Sequence, residues 1–255
     1  MHTRATVAQA LSFRAEGLGA RRIAKRMDLP VETVRDWIAG RVPKHSQNDT
    51  AEGHVPPACE RCGHDLHDFA AFGASYVYLL GLYLGDGHIS AIHRGVYRLR
   101  ISLDTRYPGI IASAAETMGD IRDGKVHIQP QQGNWVVVSS YWKCWPCLFP
   151  QHGAGRKHER PIVLTDWQLE LVNYWPEQLL RGLIQSDGFR FQNTGRNNWI
   201  WPRYGFSQTS EDIRRLFCYA CDRMEIHWTQ AGERTIYVSR KADVAVLDYF
   251  VGPKQ

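Results

Sequence analysis

No apolar run in this 255-residue chain approaches the roughly 20 residues a membrane-spanning helix needs, which excludes a helical channel or carrier. The opening "MHTRATVAQALSFR" has no uninterrupted apolar core of the signal-peptide kind, so a cytoplasmic, soluble protein is expected. No cysteine stands alone. All six fall in C-x-x-C pairs, Cys59/Cys62, Cys144/Cys147 and Cys218/Cys221, a pattern that points to metal or core packing rather than to a disulfide framework. Beyond residue 45 there is no charge excess, since 22 basic residues face 22 acids.

The excess sits at the start. Residues 1–45 hold nine Lys and Arg against four acids, the whole of the chain's formal +5. A localised basic segment suits a small nucleic-acid-binding module, or a solvated basic face. The same segment reads as three short helices. "TVAQALSFRAEG" sets Val7, Ala10, Leu11 and Arg14 at helical spacing up to Gly17. "GARRIAKRM" follows, and after the turn "DLP" comes "VETVRDWIAG", ending at Gly40. Ile23, Ala24, Met27, Val34, Trp37 and Ile38 would share one core. The pattern resembles a resolvase-like helix-turn-helix, whose third helix would enter the major groove with Glu32, Thr33, Arg35 and Asp36 exposed.

Residues 46–73 read as a polar, Pro-containing linker. After it comes a diverged internal repeat. "LLGLYLGDG" is an apolar helix that stops on an acid between two glycines, and "LRGLIQSDG" repeats it. Gly81 aligns with Gly182, Gly85 with Ser186, and Asp86 with Asp187, at an offset of 101 residues. Similar text follows each copy: a strand, a helix that begins after a Thr or Ser, then strand–turn–strand ("VHIQPQQGNWVVVSS" and "IHWTQAGERTIYVSR"). The expected organisation is repeat 1 over 74–150, a connector over 151–175, and repeat 2 over 176–255.

The two motifs resemble the signatures of the LAGLIDADG homing endonucleases, over most of the chain. The resemblance implies an α+β class: a tandem αββαββα fold with a pseudo-two-fold axis, here preceded by the three-helix module. It also agrees with physics. Small residues four apart let two helix backbones approach closely. Gly81, Gly85, Gly182 and Ser186 would form that interface and bring Asp86 and Asp187 together at the helix ends. Two carboxylates at negative helix C-termini repel, and a divalent oxygen-seeking cation such as Mg²⁺ would relieve them. That arrangement suits metal-assisted phosphodiester hydrolysis. Lys143 and Lys241, each after the last strand of its copy, stand roughly where the family places a basic residue near the scissile phosphate. An isolated Asp-Gly helix end would carry no such meaning.

By the same resemblance both sheets would face double-stranded DNA. Alternation in "YRLRISLD" points Tyr97, Leu99, Ile101 and Leu103 inward and Arg98, Arg100 and Ser102 outward. In the second copy Arg190 and Gln192 are expected outward, alternating with Phe189 and Phe191, and Arg203 is expected to match Arg98. Arginines there could read guanine or clamp phosphate; a solvated sheet face is the plainer alternative.

"CERCGH" has zinc-knuckle spacing, so Cys59 and Cys62 are candidate Zn²⁺ ligands. Their partners would be His64 and His67 nearby, or Cys144 and Cys147 if the fold allows. Cys218 and Cys221 fall on an amphipathic helix and read as buried thiols. The connector carries His152, Arg156, Lys157, His158 and Arg160, either as a phosphate-touching loop or as a solvated one. The function expected is a site-specific, single-chain DNA endonuclease, monomeric by its internal symmetry and without membrane association. The ends "MHT" and "VGPKQ" lack intein splicing residues, so a free-standing protein is expected. The alternative is a DNA-binding transcriptional regulator that keeps the fold without cleavage; an RNA-splicing maturase is a third reading.

Overall fold

The computed structural model describes residues 4–15, 18–39, 41, 59, 61–64, 67–194 and 200–252. Expected helix ends at Gly17 and Gly40, and most of the linker, lie outside them. The chain divides into two compact units, Met1–Pro56 and Pro57–Gln255.

The first unit consists of α1 (Arg4–Ala15), α2 (Ala20–Met27) and α3 (Val31–Ile38). Val7, Ala10, Ile23, Ala24, Val34 and Trp37 form its core, with Met27 and Ile38 packed at the edge. Asp28 ends α2 in the left-handed region at φ 53°, and Leu29 N–H returns to the Ala24 carbonyl. That makes the tight corner into α3. Leu11 departs from the apolar stripe and is 40% exposed. On α3, Arg35 pairs with Glu32 and both are exposed, while Thr33 is half-buried.

The second unit is built twice. Its first copy is α4 (Gly73–Asp86), β1 (Gly87–Ala91), β2 (Tyr97–Asp104), α5 (Pro108–Ile121), β3 (Val126–Pro130), β4 (Trp135–Trp142) and a short α6 (Trp145–Leu148). A helix α7 (Asp166–Tyr174) lies in the connector. The second copy is α8 (Pro176–Asp187), β5 (Gly188–Thr194), β6 (Ile200–Ser207), α9 (Glu211–Arg223), β7 (Trp228–Ala231), β8 (Thr235–Val238) and α10 (Lys241–Phe250). Each copy folds into a four-stranded antiparallel sheet with the same order, β1-β2-β4-β3 and β5-β6-β8-β7. The fold is therefore α+β and tandem.

The two sheets differ in one register. Gly87 faces Ile101, three residues before the end of β2, whereas Gly188 faces Phe206, one residue before the end of β6. A shift of two residues preserves which side chains face inward, so both copies can keep one buried face.

The core is shared. Inner residues of both sheets, with α5, α9 and α10, join α4 and α8 in a single hydrophobic cluster. Every residue of α4 from Tyr76 to Leu84 is buried, so this helix is apolar on all sides because it is covered on all sides. Its closest neighbour is α8. A Cβ built on Gly81 would stand 2.8 Å from Gly182 Cα and 2.7 Å from the Leu179 carbonyl oxygen. The reverse substitution at Gly182 would press on the Tyr78 carbonyl and on Gly81 Cα. Only glycine allows backbones this close.

Gly182→Ala and Gly81→Ala should therefore each destabilise the fold by about 1–3 kcal/mol or more in denaturant unfolding, since neither backbone can retreat cheaply. Gly119, inside α5 with nothing within 4 Å of its built Cβ, gives the contrast. Gly119→Ala should stabilise by about 0.5–1 kcal/mol through helix propensity. Equal effects at the three positions would contradict the close-contact account.

Candidate functional site

Both motif helices end on an acid followed directly by a strand. Asp86 closes α4 and is exposed; Asp187 closes α8 and is half-exposed. The glycine contact sets how near they come. A Cβ built on Gly85 would lie 3.0 Å from Asp187 Oδ2, so that carboxylate rests against the last turn of α4, one residue from Asp86. Ser186 takes the position opposite Gly85 and returns its hydroxyl to the Gly182 and Leu183 carbonyls, both at 3.0 Å. Gln208, immediately after β6, donates from Nε2 to Asp187 Oδ2 at 2.6 Å.

On the Asp86 side, a cleft of about 240 Å³ is lined by Asp86, Asp104, Arg106, Tyr107 and Ser186, among others. Asp104 Oδ2 accepts from Arg106 Nη2 at 2.7 Å and from its Nε at 2.9 Å. Thr105 and Gln208 occupy matching positions, since each N–H donates at 3.0 Å to the turn between the last two strands of its sheet, at Asn134 and Arg234. The two halves are thus equivalent in backbone and different in chemistry at this point.

A cation from the connector meets the helix ends. Lys157 Nζ donates to the carbonyls of Tyr83 and Gly85 at 2.5 Å and of Gly87 at 3.0 Å. These carbonyls sit at the negative end of α4, where an ammonium is favoured. Burial pushes Lys157 down to about 8, against the upward pull of Asp187 and then Asp86. The lysine thus feels both carboxylates at once. Its loop is anchored by a buried amide network. Gln151 Nε2 donates to Gln168 Oε1 at 2.6 Å and to the Val163 carbonyl at 2.8 Å. Gln168 Nε2 donates to the Tyr76 hydroxyl of α4 at 2.6 Å. The resemblance points to Lys143 and Lys241 as basic residues near the scissile phosphate. Lys143 is half-buried in the turn after β4, and Lys241 opens α10 with Nζ 5.4 Å over the Trp201 ring. A lysine that the structure brings to the α4 terminus is Lys157. Its only signal in the sequence is its place in a basic connector.

The open face of the first sheet follows the alternation. Leu99, Ile101 and Leu103 are buried inward. His88, Arg98, Arg100, Ser102, Gln129 and Gln131 line an outward groove of about 400 Å³. Arg98 Nη2 donates to Gln129 Oε1 at 2.8 Å and Ser139 Oγ at 3.1 Å. The second sheet corrects the expectation for Arg190 and Gln192. Arg190 pairs with Tyr204, which is buried on the helix side, and forks onto Asp248 of α10 at 2.8 and 2.9 Å. Gln192, two residues on, shares that side. Phe189 and Phe191 take the open face instead, with Tyr237, at ring separations of 5.6 to 6.5 Å. Gly205 leaves room for the Phe189 ring, which would press on a Cβ at that position. Arg203, paired with Phe191, stays on the open face, and Nε of both Arg98 and Arg203 is buried without a hydrogen-bond partner.

A second cluster lies apart from the helix ends. Cys59, Cys62, His67 and Cys147 bring their ligand atoms within 4.8 Å of one another. Cys218 is half-buried and Cys221 buried on α9, and burial pushes both thiols up.

No protein-family model matches the chain, and no curated protein matches it. Among solved structures the chain is similar to a mesophilic variant of the homing endonuclease I-DmoI, at 13% identity and TM-score 0.47, covering 71% of this chain and 96% of that one. The LAGLIDADG meganuclease I-AabMI bound to uncleaved DNA aligns at 13% and 0.44, over 69% and 82%. The N-terminal LAGLIDADG domain of DUF199/WhiA aligns at 12% and 0.41, over 74% and 85%. No residue role is carried across from them.

The Arg190–Asp248 pair gives a pH prediction. The Arg190 guanidinium holds the Asp248 carboxyl below its ordinary value, with the Tyr204 hydroxyl helping against burial. A carboxyl depressed in the folded state stabilises above its unfolded value, and that contribution disappears as pH falls through the folded one. Asp248→Asn should cost about 1 kcal/mol at pH 7 and progressively less below about pH 4, measured by urea unfolding. A pH-independent loss would contradict the ion pair. Arg190→Ala should likewise lower stability at pH 7.

Proposed function

We propose that the chain is a single-chain, site-specific DNA endonuclease of the homing type, acting as a monomer because one chain supplies both halves. What supports this reading is that Asp86 and Asp187 close two helices in backbone contact, with the half-buried Lys157 bonded to the α4 terminus. The carboxylates of Asp86, Asp187 and Asp104 offer oxygen ligands there, and Gln208 donates its amide N–H to Asp187. Such a set suits Mg²⁺, which prefers hard oxygen ligands and keeps waters for a phosphate substrate. Asp86 and Asp187 would hold it. When bound, the ion supplies charge stabilisation to the attacking and leaving oxygens of a phosphodiester.

The chain's own residues do the rest. Gln208 orients the Asp187 carboxylate. Lys157 offsets the negative charge of the α4 terminus and both carboxylates, which lets two acids stand together before a polyanion arrives. Arg98, Arg100 and Ser102 on one sheet and Arg203 on the other face the duplex and supply phosphate and base contacts. The Phe189–Phe191–Tyr237 surface offers apolar contact on the second half-site, where the first half-site meets guanidinium and amide groups. The first unit acts as a helix-turn-helix with Thr33 and Arg35 toward DNA, and its tether raises the local concentration of the second.

The second reading is a DNA-binding regulator. It is favoured by the separate basic three-helix unit, which a nuclease does not require. A supercoiled plasmid library carrying random inserts separates the two. Mg²⁺-dependent linearisation is expected, absent in Asp86→Asn and in Asp187→Asn although both variants still bind. Lys157→Met should slow cleavage with little change in affinity. Specific binding without cleavage in Mg²⁺ or Mn²⁺ would sink the enzyme and leave the regulator.

Removing residues 1–45 takes away the whole excess of positive charge. Affinity should fall, and the slope of log affinity against log salt should flatten by about 0.9 for each phosphate that is no longer neutralised. An unchanged slope would show that the first unit does not touch DNA.

A further inference from the structure

The cysteine cluster has no part in the reading above. Its pieces are local and regular. Cys59 N–H is bonded to the His64 carbonyl at 2.6 Å, and Gly63 N–H, at φ 70°, returns to the Cys59 carbonyl at 2.7 Å. Those bonds bring Cys59 and Cys62 into one tight knuckle. Opposite stands the turn into α6, where Cys147 N–H bonds the Cys144 carbonyl at 2.9 Å. Arg61 clamps the two together by donating to the Pro146 carbonyl at 2.6 Å.

The spacing among the side chains is that of a coordination shell. Cys59 Sγ and Cys147 Sγ are 3.7 Å apart, and Cys62 Sγ and His67 Nε2 are 3.3 Å apart. Zn–S bonds of about 2.3 Å in a tetrahedron place two sulfurs about 3.8 Å apart and a sulfur and an imidazole nitrogen slightly closer. A disulfide would need about 2.05 Å. Packing of free thiols has no reason to gather an imidazole nitrogen as well.

We propose that Cys59, Cys62, His67 and Cys147 bind one structural Zn²⁺, which ties the segment before α4 to the end of the first sheet. Cys144 is buried one turn before Cys147 and lies outside the group of four whose ligand atoms come together. The second repeat has no counterpart among the described residues, so the metal would belong to the first half alone. A closed four-ligand shell has no open position, which assigns the ion to folding rather than to hydrolysis.

The test is metal analysis of the full chain purified under reducing conditions. One zinc per chain is expected. Cobalt substitution should give the visible bands of a tetrahedral site and a thiolate charge-transfer band, with an intensity for three sulfurs. Cys59→Ser and His67→Ala should lose the ion, while Cys144→Ala and the distant Cys218→Ala keep it. Asp86→Asn should also keep it, which separates this site from the carboxylate pair. No zinc and no cobalt spectrum in the unaltered chain would overturn the proposal without recourse to any variant. Retention in His67→Ala with loss in Cys144→Ala would overturn the ligand set in favour of four sulfurs.

Discussion

Everything in the second unit depends on one backbone contact. Gly81 and Gly182 have no side chain, and the two motif helices touch there at main-chain distance. A bulkier pair of residues would hold two apolar helices farther apart. The contact fixes the axis between the repeats, and therefore which residues stand at both helix ends. It also explains why Ser186 is tolerated opposite Gly85: its hydroxyl folds back on its own helix and takes up the small volume available.

The same contact creates an electrostatic problem. Two helix C-termini and two carboxylates converge in one small region, and each contributes negative charge. A polyanionic substrate would add more. Lys157 answers part of it from within the chain, through three carbonyls of the α4 terminus. Its loop is held in place by the Gln151–Gln168–Tyr76 network, so a segment outside both repeats completes the site that the repeats form. The remaining charge is what a divalent cation would neutralise. Stability and chemistry are thus linked at this position, because the geometry that packs the core also concentrates the acids.

The sequence carried the elements that repeat or alternate locally. The small residues four apart, the Asp-Gly ends and the offset of 101 residues mark α4 and α8 without any structure. In β2 the alternation of Leu and Ile with Arg was enough to assign its faces. In β5 the same rule failed. "FRFQ" reads as rings inward and polar groups outward, yet the rings lie on the open face over Gly205 and Arg190 turns to Asp248. That partner is 58 residues away, and periodicity carries no information about it. Lys157 was illegible for the same reason: it became significant only when a connector folded back onto a helix end. The cysteines fall between these cases. The C-x-x-C knuckle was visible, but the choice of His67 and Cys147 over His64 needed the fold.

The central claim is that Asp86 and Asp187 form one metal site and not two independent helix ends. Titration of the full chain with Mn²⁺, with the free ion followed by electron paramagnetic resonance, tests this most directly. Binding should be abolished or much weakened by Asp86→Asn alone and by Asp187→Asn alone, because each carboxylate serves the shared ion. If either single variant binds Mn²⁺ as the unaltered chain does, the two acids act separately and the account is contradicted.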